Sequence, residues 1–132
     1  MSDVLKVSAG VIRDAEGRVL LCQRGYGAQE GQWEFPGGKC EAGESYEDCL
    51  VREIEEELGV RVETTRVLLQ MRYAYPDKVI DFAFVEARFT QGQLQVREHK
   101  AVKWLRAEEI DEKELCPADA QAFVRMKAEK FI

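Results

Sequence analysis

Three glutamates, Glu53, Glu56 and Glu57, stand three and four residues apart near the middle of the chain. On a helix that spacing brings their side chains together on one face. Like charges so placed repel by a few tenths of a kcal/mol per pair, so helix stability gives no reason for them. Arg52, four residues before Glu56, offers the one internal relief. The natural remedy is a hard divalent cation. Mg²⁺ favours carboxylate oxygens, keeps several waters and meets protein through a few carboxylates plus substrate phosphates. A Glu-rich face taken alone is most often only a solvated one. Here it is joined to more: Gly38, Glu44, Arg52, Glu53, Ile54, Glu56, Glu57, Gly59 and Val60 fill every defined position of the pattern G-x5-E-x7-R-E-U-x-E-E-x-G-U, with U a bulky aliphatic.

Those residues need a turn and a helix to hold them. Phe35-Pro36-Gly37-Gly38 is the turn, since Pro36 fixes its own φ and the glycine pair gives the backbone freedom. Ser45 is a suitable N-cap with Asp48 three residues on, and Gly59 stops the helix, which predicts a helix over 45–58. Val51, Ile54 and Leu58 make its apolar stripe. Cys49 faces neither the acidic nor the apolar side cleanly.

The flanks read mostly as strands. Residues 4–12 and 18–24 form a hairpin around a turn at 14–17, followed by a polar, glycine-bearing loop over 25–32. Residues 60–65 alternate, 66–75 continue extended, Tyr75-Pro76-Asp77-Lys78 turns, and 79–89 form another strand. A turn at 91–93, a polar link at 98–100, a short strand over 101–105 and a helical turn at 107–110 precede a last helix from Pro117 to about residue 130. Leu115, Phe123, Met126 and Phe131 would dock that helix. This order fits one α+β domain spanning residues 1–132, with helices flanking a mixed sheet.

Bulk properties narrow the class. The chain has 132 residues, 45% of them hydrophobic, and a formal net charge of -6. That charge argues against a nucleic-acid binder, and leaves the attraction of an anionic substrate to metal ions and local basic residues. The four cysteines form no C-x-x-C pair and there is one histidine, His99, so a zinc site is not expected. They read as reduced thiols of a cytoplasmic protein, with neither a signal peptide nor an apolar run long enough for a membrane. No obligate protein partner is inferred.

The filled pattern is the signature of the Nudix hydrolases, and the chain resembles that family. WEFPGGK, the YPDK turn, the Glu98-to-Trp104 stretch and the Pro-Ala-Asp segment of the last helix resemble its MutT branch. The resemblance implies an α/β/α sandwich around a mixed sheet. It also implies hydrolysis of nucleoside triphosphates to monophosphate and pyrophosphate, with oxidised purines as the branch's best-known substrates and clearance of damaged nucleotides as its role.

By the same resemblance, Glu53 and Glu57 are the principal ligands of Mg²⁺ or Mn²⁺, with Glu56 close by and the Gly37 carbonyl completing the site. Glu98 is the distant carboxylate that joins them, as ligand or general base, and Glu53 is favoured over it as the proton acceptor. Arg52 orients the glutamates, Glu44 braces the loop-helix junction, and Gly38 belongs to the turn. Arg24 would contact phosphates or sugar. Lys39 could meet a phosphate, or simply be a solvated lysine.

The base pocket would draw on Leu5, Val7, the Glu34-Phe35 segment, Tyr75, Ile80 and Asp119. MutT itself carries asparagine where this chain has Asp119, and aspartate there resembles the CTP pyrophosphohydrolase branch and the mammalian enzyme for oxidised purine triphosphates. An ionised Asp119 only accepts hydrogen bonds and would suit bases with donors, whereas a buried, protonated one could also donate and restore the purine match. It could also merely cap the last helix. A non-catalytic nucleotide-binding Nudix module is the reading from another class, although such modules typically lose signature glutamates. A nucleotide sugar or dinucleoside polyphosphate is the third substrate reading.

Overall fold

The computed structural model describes residues 4–132; Met1–Asp3, part of the N-terminal stretch considered above for a leader, lie outside them. The strands in chain order are β1 (Val4–Arg13), β2 (Val19–Gln23), β3 (Trp33–Glu34), β4 (Gly37–Lys39), β5 (Arg61–Tyr75), β6 (Lys78–Gln91) and β7 (Ala101–Leu105). The helices are α1 (Tyr46–Leu58) and α2 (Pro117–Ala128). The sheet runs β3-β2-β1-β6-β5, with β4 added beside β1 and β7 beside β2. β1 and β6 pair in parallel from Val4↔Val79 to Arg13↔Arg88, while the other pairs are antiparallel.

The central strands are apolar on both faces, as strands covered by helices on each side must be. Neighbouring residues go to opposite faces. Val11, Leu21 and Phe84 enter the core under α2 with Phe123 and Met126, whereas Ile12, Leu20 and Val85 enter the core under α1 with Leu50, Ile54 and Leu58. Those two cores are the two halves of an α/β/α sandwich.

β1 shares its second edge between two partners. Val7–Ala9 pair with β4, and Arg13 pairs with β2. Between them the Gly10 amide donates to the Pro36 carbonyl at 2.7 Å, so the glycine turn is laced into the sheet where its neighbours part. Gly37 has to be glycine, because a Cβ there would run into the Ser8 carbonyl.

The packing of α1 corrects two expectations. The buried stripe of α1 is Leu50, Ile54 and Leu58, with Val51 only half-buried. Cys49 is fully buried, and its thiol donates to the Gly38 carbonyl at 3.5 Å, tying the helix to the turn. The stretches 60–65 and 66–75 are one strand, β5, with register shifts at Arg61/Val62, Thr64/Arg66 and Val67/Leu69. α2 ends at Ala128, with Lys130 beyond it at φ 63° and the Phe131 amide closing back on the Met126 carbonyl at 2.8 Å.

Candidate active site

The acidic end of the site begins at the start of α1. The Ser45 hydroxyl accepts from the Asp48 amide at 3.0 Å and Gly59 caps the other end at φ 69°, so the helix spans the stretch that carries the glutamates. Arg52 lies at the centre of their network. Its Nε and Nη2 donate to the two oxygens of Glu44 at 2.8 and 2.9 Å, a bidentate pair. Nη1 donates to Glu53 Oε1 at 2.9 Å, and Nη2 also donates to the Lys39 carbonyl at 3.0 Å. Hydrogen bonds from Arg52 and the Glu41 amide hold the Glu44 carboxyl low, at about 2. Arg52 thus clamps the turn, the loop before α1 and the first glutamate in one fixed arrangement.

Glu53 is tucked beneath the turn with its side chain 15% exposed. Gly38 leaves room for it: a Cβ there would strike the Glu53 carboxylate at Oε2. Glu57 meets Glu53 in the same place. Burial first, then the charges of Glu53, Glu98 and Glu34, push the Glu57 carboxyl up to about 8. Glu98, on the exposed loop before β7, lines the same cleft as Glu57, and its charge is felt there. Glu56 points outward, its side chain 61% exposed and 3.4 Å from Arg52 Nη1.

A cleft of about 320 Å³ opens here. Gly37, Gly38, Glu57 and Glu98 line it around the carboxylate pair, and Phe35, Tyr75, Ile80 and Asp119 around the Phe35–Asp119 hydrogen bond, with Glu34, the partner of Arg24, felt by both Glu57 and Asp119. Val7 joins the lining, but Leu5 does not; it packs into the core under α2. Lys39 lies exposed at the rim. Arg24 Nη1 donates to Glu34 Oε1 at 3.0 Å and its Nε to the Ala28 carbonyl at 3.0 Å.

Asp119 sits in the first turn of α2, yet it caps nothing there. The N-cap is Cys116, without a side-chain bond, and Asp119 is buried with Oδ1 accepting from the Phe35 amide at 3.0 Å. Burial, reinforced by the charge of Glu34 and opposed by that amide, pushes its carboxyl up to about 8.

A divalent ion fits the acidic corner. Among the described residues no three acidic, histidine or cysteine side chains converge as a closed ligand set. A closed set is what structural zinc needs, whereas Mg²⁺ takes one or two carboxylates and completes its shell with water and phosphate. Glu53 and Glu57 could supply the carboxylates, and burial, joined by the charges of Glu53, Glu98 and Glu34, is what raises the Glu57 carboxyl.

Comparison with known proteins agrees with this geometry. A family model described as the NUDIX domain matches residues 4–126. The chain belongs to the Nudix family. Among relatives of this Nudix hydrolase, an 8-oxo-dGTP diphosphatase of Haemophilus influenzae is 35% identical over 124 residues, covering 93% of this chain and 91% of the relative. A CTP pyrophosphohydrolase of Escherichia coli is 34% identical, with 95% of each chain covered. The solution structure of the E. coli ORF135 protein superposes with a TM-score of 0.80 at 30% identity, covering 97% of this chain and 94% of that one.

Several lining residues of the Nudix hydrolase escaped sequence reasoning. Ser8 is fully buried and donates to the Tyr46 carbonyl at 2.8 Å, fixing β1 to the start of α1. Tyr26 stands 64% exposed on the loop after β2, and Gln29 of that loop lines the cleft together with Tyr75. His99 was noted only as the lone histidine; its place beside Glu98 was the signal available for it. Among the described residues no helix is long and apolar enough to cross a membrane.

Proposed function

We propose that this Nudix hydrolase is a Mg²⁺-dependent nucleoside triphosphate pyrophosphohydrolase, converting a triphosphate and water to a monophosphate and pyrophosphate, and that its substrates carry an oxidised or otherwise modified base. The observation that carries the reading is one cleft with two unlike ends. One end is a crowded carboxylate pair under a glycine turn, and the other is an apolar pocket around a buried carboxyl that accepts from the Phe35 amide.

Glu53, Glu57 and the Gly37 carbonyl would hold the ion, with Glu98 facing them and Glu56 near enough to join. A bound Mg²⁺ or Mn²⁺ supplies charge neutralisation at the phosphate oxygens and acidifies water. Arg52 fixes Glu53 through Oε1, leaving Oε2 beneath Gly38 to accept the proton of the attacking water. Glu44 keeps Arg52 in place through two hydrogen bonds. Arg24, held by Glu34, would meet the phosphates or sugar midway along the cleft.

At the far end Phe35, Tyr75 and Ile80 offer apolar surface to a base. Asp119 already spends Oδ1 on the Phe35 amide. With its carboxyl raised to about 8, it carries a proton at neutral pH and can donate from Oδ2. A donor beside an acceptor suits the carbonyl and N–H edge of an oxidised guanine. The similarity to the CTP pyrophosphohydrolase supports a second reading, in which ionised Asp119 accepts from the amino group of cytosine.

The test is a panel of ordinary, oxidised and methylated nucleoside triphosphates with Mg²⁺, compared by kcat/KM with the products identified. Pyrophosphate released fastest from an oxidised purine is the expected result. Single phosphate as product, or no turnover of any triphosphate, overturns the reading.

A further inference from the structure

His99 is the only histidine of the chain, and it stands next to Glu98. Its side chain is 7% exposed, in the wall of the cleft. Nε2 lies 3.2 Å from Glu34 Oε2, and Nδ1 is buried with no partner. A carboxylate only accepts, so Nε2 carries the proton and Nδ1 is left without its bond. A buried polar atom with no protein partner calls for an explanation.

The surroundings supply one. Glu34 has two oxygens and holds one group with each: Oε1 takes Arg24 Nη1 at 3.0 Å, and Oε2 takes His99. The backbone on either side of His99 is pressed onto the end of β2. The Lys100 amide donates to the Gln23 carbonyl at 2.9 Å, and the Glu98 carbonyl packs so closely on Gly25 that a Cβ there would collide with it. Glu98 itself is exposed, and among the described residues no side-chain hydrogen bond holds it, so its direction depends on how its backbone is seated. The Glu98 loop and Arg24 thus rest on opposite oxygens of one carboxylate.

We propose that His99 is a positioning residue: by donating to Glu34 it seats the Glu98 loop against the Glu53–Glu57 pair and keeps that loop in register with Arg24. This deepens the proposed function and rests on its reading of Glu98. His99 makes its hydrogen bond to Glu34. It acts through Glu34 on the groups at both ends of the phosphate path, and the unpaired Nδ1 is the cost of that placement.

The experiment compares two amides. In His99→Gln the side-chain amide reaches the place of Nε2 and keeps a donor for Glu34. In His99→Asn the amide falls short and the donor is lost. Removing an outer support of a metal site typically costs about 10–100-fold. His99→Asn should therefore lower kcat by tenfold or more with KM changed less than threefold, and His99→Gln should stay within about threefold of the parent in both. Independently of activity, hydrogen exchange at the Lys100 amide should quicken in His99→Asn, and not in His99→Gln, with the exchange of α1 unchanged.

Equal kcat in all three proteins with unchanged Lys100 exchange overturns the proposal. So does an equal loss in both variants that follows their melting temperatures, which is what a purely structural histidine would give. If the parent protein hydrolyses no triphosphate while the exchange pattern holds, the functional reading has failed, and the seating of the loop stands apart from it.

Discussion

The two ends of the cleft each hold a carboxyl pushed up to about 8, Glu57 at one and Asp119 at the other. Burial is the leading cause at both, and what differs is the company each keeps. Glu57 is only half-buried, and burial is joined by three further carboxylates, Glu53, Glu98 and Glu34. Asp119 is fully enclosed, with one amide donor from Phe35. Too much charge of one sign is cured by a cation, and too little solvent is cured by a proton. On the proposed function, the acidic corner would take a metal, and the buried aspartate would stay neutral and present a hydroxyl to a base.

The largest effect that sharpens this contrast is expected from Glu57→Gln. Turnover should fall by more than the roughly 100-fold that loss of an outer support costs, because a direct ligand is gone. The same substitution should raise the melting temperature of the metal-free protein, since it removes a charge that the fold resists. A folded Glu57→Gln enzyme with near-normal kcat would discard the metal assignment.

Next come the two glycines of the turn, which differ in what a methyl group would strike. At Gly38 it meets the side chain of Glu53, and at Gly37 the backbone carbonyl of Ser8. Gly38→Ala should fold within about 1 kcal/mol of the parent but lose tenfold or more in kcat, because the carboxylate must move. Gly37→Ala should lose stability first, by about 2 kcal/mol or more in denaturant titration, as overpacking against backbone does. Equal stability in the two variants would contradict the close packing described.

Asp119→Asn tests the other end. The substituted protein should turn over 8-oxoguanine nucleotides with higher relative kcat/KM, its metal requirement unchanged. An unchanged substrate ranking would remove Asp119 from the base pocket.

The smallest effect is thermodynamic and separates the two carboxyls cleanly. Each has a folded pKa above its unfolded value, so between those values the folded protein binds more protons than the unfolded one. Stability must then fall as pH rises from about 4 to about 8, and level off above. Mg²⁺ should flatten the contribution of Glu57 and leave that of Asp119 in place. Asp119→Asn should remove the remainder, a gain of at least about 1 kcal/mol at pH 9. Melting curves across that range, with and without metal, check it.

Which parts of this molecule could be read from sequence follows from how local their causes are. α1 was legible to within a residue because Ser45 and Gly59 mark its ends by their own chemistry. Its buried face was misplaced because Val51 and Leu50 both fit an apolar stripe, and only the packing under β6 chooses Leu50. β5 was divided in two because its mixed, mostly exposed residues hide the pairing with β6 that makes it continuous. Residues near the signature could be named from the family pattern, but their arrangement could not. That Arg52 grips Glu44 with two bonds, that Glu56 points outward, and that Asp119 reaches the Phe35 amide 84 residues away are products of the fold. His99 was the hardest to assign, since a lone histidine acquires a role only when the sheet brings Glu34 beneath it.

The central claim is that a divalent ion sits with Glu53 and Glu57 at the glycine turn. Titration of Mn²⁺ into the protein, following free ion by electron paramagnetic resonance, addresses it without any substrate. The parent protein should bind the ion at a site that Glu57→Gln abolishes and that Glu63→Gln, an exposed change on β5, leaves intact. Equal binding by all three proteins would contradict the account.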